Sequence, residues 1–241
     1  MIHVPNDTPL WEVVGSLQVA QARHVALCGP SQLAIDIAEL SARIIYLDPP
    51  EHIELNYSKA YRAIDTSENP YPVVLAAQSG ITINTDAVMK IQLPGIQPGT
   101  RDGIIVCPKT FKPELALPPV TWRAIVRMLR SYDRPVYLMG EPGEWMDDAS
   151  FAENEILTEL PLKEKLEWLA GAELIVGVPN AWLWLAAAWE KKIAFLYPDS
   201  IPKYRWFWFA SDSTYGRISF VPYQLQTAVV LTGLRTMIDA L

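Results

Sequence analysis

The sequence predicts an α/β protein of two domains, each built on a parallel sheet. Three observations carry this. Short apolar runs that end in Gly or Pro alternate with segments of helical periodicity. Runs such as Glu173-Leu174-Ile175-Val176-Gly177 are too uniformly apolar for a sheet with one face in water. One long Pro/Gly cluster, Pro94 to Gly103, divides the 241 residues and reads as an interdomain linker, giving domains at 1–97 and 103–241.

In the first domain Ile2-His3-Val4-Pro5 reads as an opening strand. A helix follows with Leu10, Val13, Val14, Leu17 and Ala20 on one face; Asp7 or Thr8 caps it and Pro9 suits its first turn. His24 to Cys28 is the second strand, Ser31 to Leu40 a helix, and Arg43 to Leu47 the third strand. Ala60 to Ile64, Pro72 to Ala76 and Ala87 to Leu93 are further strand candidates.

The second domain opens with the strand Gly103 to Pro108 and the loop Lys109-Thr110-Phe111-Lys112. Thr121 caps a helix with Trp122, Ile125, Val126 and Leu129 inward. Pro135 to Gly140 is a strand that runs into the polar loop Glu141-Pro142-Gly143-Glu144. Phe151 to Leu160 is an acidic connector. Leu162, Leu166 and Leu169 then recur at helical spacing, with Lys163, Glu164, Lys165 and Glu167 between them as the polar positions. The strand Glu173–Gly177 leads to the turn Gly177-Val178-Pro179-Asn180-Ala181. Ala186, Ala187 and Ala188 open the next helix, and Ile193 to Leu196 is the next strand. Tyr204 to Phe209 reads as an aromatic loop. Tyr223 to Leu241 closes the chain as an amphipathic helix that packs back on the first domain.

Bulk properties narrow the function. A net charge of −7 argues against a dedicated nucleic-acid binder, whose footprint is basic. The start MIHVPNDTPL lacks a signal-peptide pattern, and no apolar run is long enough to span a bilayer. Cys28 and Cys107, each in or at the end of an apolar strand, fit reduced thiols and a cytoplasmic protein better than a disulfide scaffold. His3, His24 and His52 have no metal-ligand spacing, and neither a Walker loop nor a dinucleotide glycine fingerprint occurs.

From about Gly103 to Pro198 the order of elements resembles the C-terminal domain of the heptosyltransferase-like glycosyltransferases, glycosyltransferase family 9-like proteins of GT-B fold. The residues that carry this are Cys107-Pro108-Lys109, Pro119-Val120-Thr121-Trp122, Leu138-Met139-Gly140 with Glu141 or Glu144 behind it, and Pro179-Asn180-Ala181-Trp182-Leu183-Trp184-Leu185-Ala186-Ala187-Ala188. The resemblance implies two Rossmann-like domains facing a cleft, a reduced N-terminal acceptor domain and a C-terminal donor domain. It implies transfer of a sugar from a nucleotide-diphosphate donor, a co-substrate rather than a resident cofactor, to a hydroxyl on a glycan, a small molecule or a modified DNA base. Three positions depart from the family's turn: Pro179 stands for its acidic residue, Ala181 for its glycine and Trp184 for its histidine.

The candidate residues each carry two readings. By the resemblance Asp7 is the base on the acceptor hydroxyl; by local sequence it is a helix cap. Lys109, Thr110 and Lys112 lie on a loop at a strand's carboxyl edge, where they meet phosphate or simply solvent. Glu141 and Glu144, beside Gly140, accept from ribose hydroxyls or form a solvated turn. Asn180 caps a helix or holds phosphate at its amino terminus, next to Ala181. Six of the nine tryptophans fall between Trp168 and Trp208. Trp122, Trp168 and Trp189 read as core; Trp182, Trp184, Tyr204, Trp206 and Trp208 read as the aromatic lining of a cleft. The alternatives to sugar transfer are a catalytically inactive GT-B-fold interaction protein, for which Pro179, Ala181 and Trp184 speak, and a transferase modifying a hydroxylated nucleic-acid base. The latter needs a basic stripe from Lys109, Lys112, Lys203 and Arg205.

Overall fold

In a computed structural model the described residues are 2–3, 27–28, 53–54, 57–64, 71–82, 96, 102–110, 116–140, 151, 155–189, 191–198, 218–223 and 227–239. The chain forms two compact units, Met1–Gly95 with Pro202–Asp212, and Ile96–Ile201 with Ser213–Leu241.

In the first unit β1 (Ile2–His3) lies between β2 (Leu27–Cys28) and β3 (Ile53–Glu54), with both pairings parallel. Two helices follow, α1 (Tyr57–Ile64) and α2 (Tyr71–Gln78), which pack on each other. Both replace expected strands. In α1 the polar Ser58, Lys59 and Arg62 are exposed while Ala60 is buried, a period that a five-residue window does not show. In α2 the run Val73-Val74-Leu75-Ala76 has no period to read, and Pro72 sits in the first turn, where a missing N–H costs nothing. The expected strand Ala87 to Leu93 lies outside the described residues, as do the helices expected at Leu10–Gln21 and Ser31–Leu40.

The second unit is a five-stranded parallel sheet in the order β5-β4-β6-β7-β8. Its strands are β4 (Ile104–Cys107), β5 (Val136–Leu138), β6 (Leu174–Gly177), β7 (Ile193–Pro198) and β8 (Ile218–Tyr223). Its helices are α3 (Pro119–Arg130), α4 (Leu162–Gly171), α5 (Ala181–Ala188) and α6 (Thr227–Ile238). All four residues of β4 and all four of β6 are buried, as expected of central strands covered on both faces. Alternation sorts them: Ile104, Val106, Val136, Leu138, Leu174, Val176, Ala194, Leu196 and Val221 share one core with Trp122, Ile125, Val126 and Leu129 of α3 and Val230, Leu234 and Met237 of α6. The opposite face receives α5, which contacts β6, β7 and α4.

Four boundaries or placements differ from expectation. The closing helix, expected on the first domain, has its buried residues in the core of its own unit, and Gly233 brings it within a methyl group of β8: a Cβ there would lie 2.7 Å from Val221 Cγ1. Helix α3 starts at Pro119 rather than after Thr121; Thr121 lies in its first turn, buried, with Oγ1 2.8 Å from Oγ1 of Thr227 on α6. Helix α5 starts at Ala181, so Ala186, Ala187 and Ala188 end it instead of opening it. Strand β8, Ile218-Ser219-Phe220-Val221-Pro222-Tyr223, was not expected, and it takes Tyr223 from the expected closing helix. It is the edge strand of the sheet, where a residue without an N–H can leave the ladder intact. Among the described residues no helix is long and apolar enough to cross a membrane.

Candidate functional site

The strand order fixes where a ligand would be met. The chain leaves β4 for β5 on one side, then returns past β4 to β6 on the other, so β4 and β6 flank the point where the winding reverses. In open parallel sheets ligands bind outside the carboxyl ends at that point. Cys107 is in register with Gly177 there, which brings the loop Pro108-Lys109-Thr110 beside the turn Val178-Pro179-Asn180.

Asn180 spans the reversal. Its backbone is extended and its Oδ1 accepts from the Leu183 N–H at 3.0 Å, a helix cap. Its Nδ2 donates to the carbonyls of Cys107 at 3.3 Å and Lys109 at 2.9 Å. These partners fix the amide's orientation, because the reverse would set an oxygen against two carbonyl oxygens. Of the two roles open to Asn180, the side chain takes the cap and adds a clamp between strands. With both amide hydrogens engaged by the protein, it is not the free phosphate donor that was the other reading.

Gly177 is needed for a close approach. A Cβ at this position would stand 2.7 Å from the Cys107 carbonyl oxygen and 2.7 Å from Leu183 Cδ1. The same Cys107 carbonyl accepts from the Val178 N–H at 3.3 Å. Beyond the turn, the first N–H groups of α5 have no partner within the helix. Those of Ala181 and Trp182 have none among the described residues, whereas Leu183 and Trp184 donate to the Oδ1 and backbone oxygen of Asn180. The positive end of the helix dipole lies here.

A residue that sequence reasoning placed among the polar positions of α4 sits at the same edge. Lys165 is 3% exposed. Its Nζ donates to the carbonyl of Gly140, just beyond β5, at 3.1 Å, and lies 5.6 Å from the centre of the Trp182 ring in the first turn of α5. The signal was in the register: Leu162, Lys165, Leu166 and Leu169 follow the i, i+3, i+4, i+7 pattern of one buried face, so a lysine was standing at an inward position.

The other expected site residues divide as follows. Lys109 is exposed at the edge, and Thr110 beside it is buried at 7% exposure. Gly140 is buried and held by Lys165. Ala181 is buried at the start of α5. Trp182 and Trp184 were expected to line a cleft; they are 3% and 2% exposed, because α5 is apolar all round and is buried on every side. Neither offers an open stacking face. Trp122 is core as expected, and Trp168 is half-buried with its ring 4.4 Å from that of Tyr137. Asp7, Lys112, Glu141, Glu144, Tyr204, Trp206 and Trp208 lie outside the described residues.

A cavity of about 250 Å³ opens at the opposite edge of the sheet, with Ile104 and Leu174, the first residues of β4 and β6, in its wall alongside Tyr132 and Lys192. Burial, then the hydrogen bond from its hydroxyl to Asp239, raises the Tyr132 phenol above its ordinary range. Partial burial lowers the ammonium of Lys191, which donates to the Ala172 carbonyl at 3.4 Å. These charges belong to the amino edge, away from the strand ends described above. Among the described residues no three His, Cys, Asp or Glu side chains gather into a metal-binding group.

The class that this architecture defines is the GT-B fold, in its heptosyltransferase-like form. No family model matches the sequence, and no curated protein matches it significantly. Among solved structures the chain is similar to the E. coli heptosyltransferase WaaC with ADP, at 10% identity and a TM-score of 0.62, over 99% of this chain and 99% of that one. It is similar to the iron-containing dodecameric glycosyltransferase TibC from enterotoxigenic E. coli, at 11% identity and a TM-score of 0.61, over 99% of this chain and 76% of that one. It is similar also to a glycosyl transferase family 9 protein from Veillonella parvula, at 12% identity and a TM-score of 0.56, over 92% and 85%. At such identities the likeness is one of fold.

Proposed function

We propose that this protein binds a nucleotide-diphosphate sugar at the carboxyl edge of its second sheet and transfers the sugar to a hydroxyl group. The observation that carries the reading is the switch point itself: in a fold shared along the whole of a heptosyltransferase structure with ADP, the strand ends that flank it present Lys109 and the first N–H groups of α5.

Residues 103–241 would be the donor domain and 1–97 a reduced acceptor domain. The N–H groups of Ala181 and Trp182, with Lys109, Thr110 and Lys112, receive the diphosphate. Gly140 and Glu141 or Glu144 meet the ribose and base. The acceptor oxygen attacks the anomeric carbon as the bond from that carbon to the diphosphate oxygen breaks. Asp7 takes the hydroxyl proton, and the nucleoside diphosphate leaves with the bonding pair. Asn180 has a supporting part, holding the Lys109 loop and the start of α5 together from within. The neighbouring TibC was solved with ADP-D-β-D-heptose, which makes ADP conjugates the first donors to try.

A second reading, a GT-B scaffold that no longer transfers sugar, is favoured by the turn's own residues: Pro179 offers no N–H, and Trp182 and Trp184 are committed to the interior. Calorimetry with ADP, GDP, UDP and their sugar conjugates separates the two. Binding below about 1 mM with a preference for one base, about 4 kcal/mol or more of binding free energy, supports the donor site. Release of free nucleoside diphosphate that stops in the Asp7→Asn variant supports transfer. Binding without turnover under any acceptor tried leaves the scaffold, and absence of binding removes the donor reading altogether.

A further inference from the structure

We infer that Lys165 is a positioning residue for the nucleotide, joining the segment that receives ribose and base to the segment that receives phosphate. This rests on the donor reading above and goes beyond it, because Lys165 is none of the residues proposed to touch the ligand.

The inference starts from a mismatch between burial and chemistry. Lys165 stands on the buried stripe of α4 with Leu166 and Leu169, one turn on from the half-buried Leu162, where an apolar side chain of similar length would continue the pattern. A buried ammonium carries a desolvation cost that an apolar side chain would avoid, so packing does not by itself account for a lysine 3% exposed. Among the described residues the ammonium makes two directed contacts. It donates to the Gly140 carbonyl at 3.1 Å, beyond β5, and it lies over the Trp182 ring at 5.6 Å, on the first turn of α5. Gly140 and Trp182 follow β5 and β6, the strands on either side of β4. Asn180 already ties the α5 start to the β4 loop through Cys107 and Lys109. Lys165 supplies the remaining link, from α5 to the β5 loop.

The expected consequence is selective. Loss of the link lets Gly140 shift relative to α5, which weakens a ligand that must touch both loops and spares one that touches only the phosphate side. The experiment titrates wild type, K165M and K165R with ADP, GDP, UDP and inorganic pyrophosphate by calorimetry, with thermal unfolding of each protein. For the preferred nucleoside diphosphate, K165M should bind about tenfold more weakly, while pyrophosphate affinity changes less than about twofold and the protein still unfolds in one cooperative transition. K165R, which keeps a long cationic donor, should recover part of the loss. Equal weakening of both ligands, or unchanged nucleoside-diphosphate binding in folded K165M, overturns the inference and leaves the donor reading standing. If K165M does not fold, the same ratio is read from K165R: a shift in the nucleotide-to-pyrophosphate ratio supports the link, and an unchanged ratio overturns it. If wild type binds none of the nucleotides, the donor reading fails and the inference with it.

Discussion

Replacing Asn180 separates a simple helix cap from a clamp between strands. In Asn180→Ala the cap of α5 is lost, which costs about 1 kcal/mol and at most about 2 kcal/mol. The two carbonyls lose a donor as well. That of Cys107 keeps the Val178 N–H, and that of Lys109 belongs to an exposed residue where water can replace the amide. Their loss therefore adds roughly 0–1 kcal/mol, for a total of about 1–3 kcal/mol. Asn180→Asp is the informative partner. Aspartate caps as well as asparagine, and its charge at a helix N-terminus contributes roughly 0.3–1 kcal/mol in its favour. Its second oxygen, however, takes the place of Nδ2 and faces the Lys109 and Cys107 oxygens at 2.9 and 3.3 Å. Setting a carboxylate oxygen against these two carbonyl oxygens costs about 2–4 kcal/mol, more than the dipole returns. Unfolding followed by circular dichroism should rank wild type above N180A and N180A at or above N180D, with about 2–4 °C per kcal/mol for a chain of this size. An N180D protein as stable as wild type would show that the side chain only caps, and the clamp across the switch point would have to be given up.

Two further outcomes follow from local geometry. Gly177→Ala places a methyl 2.7 Å from the Cys107 carbonyl, and the parallel pairing of β4 and β6 resists the shift that would relieve it. The expected loss is about 1–3 kcal/mol in chemical denaturation, and an unchanged midpoint would contradict the close approach. Lys191 has its pKa lowered by burial below the ordinary 10.5, so the folded state holds its proton less firmly than the unfolded state. Its contribution to stability therefore rises with pH between the lowered value and 10.5. Lys191→Met should remove that rise and gain stability at neutral pH. Tyr132, raised above 10.0, contributes in the opposite sense at alkaline pH but cancels in the difference between wild type and K191M. A difference curve flat across that range would refute the assignment.

The sheet of the second unit was legible because burial on both faces writes itself as an uninterrupted apolar run, as in Ile104–Cys107 and Leu174–Gly177. Strand β8 was not, since a proline that an edge strand tolerates looks the same in sequence as one that breaks a strand. Helices α1 and α2 were lost to short windows without a clear period. At the site, Asn180 was legible as a residue but not as a role. Capping and phosphate binding use the same side chain, and the decision came from carbonyls 73 and 71 residues away. Lys165 was hidden by its charge: grouping it with Lys163, Glu164 and Glu167 by residue type concealed the helical register that turns it inward. Trp182 and Trp184 misled in the reverse sense, since aromatics beside a functional turn were taken for lining and belong instead to a helix buried all round.

The measurement that bears most directly on the proposed donor site is amide NMR of the full chain during titration with ADP, GDP and UDP. Saturable shifts at Ala181, Trp182, Lys109 and Gly140, with Ile104, Leu174 and Lys192 at the far edge unmoved, are the expected result. Shifts confined to the cavity beside Tyr132, or no shifts with any of the three, would contradict a nucleotide site at the strand ends.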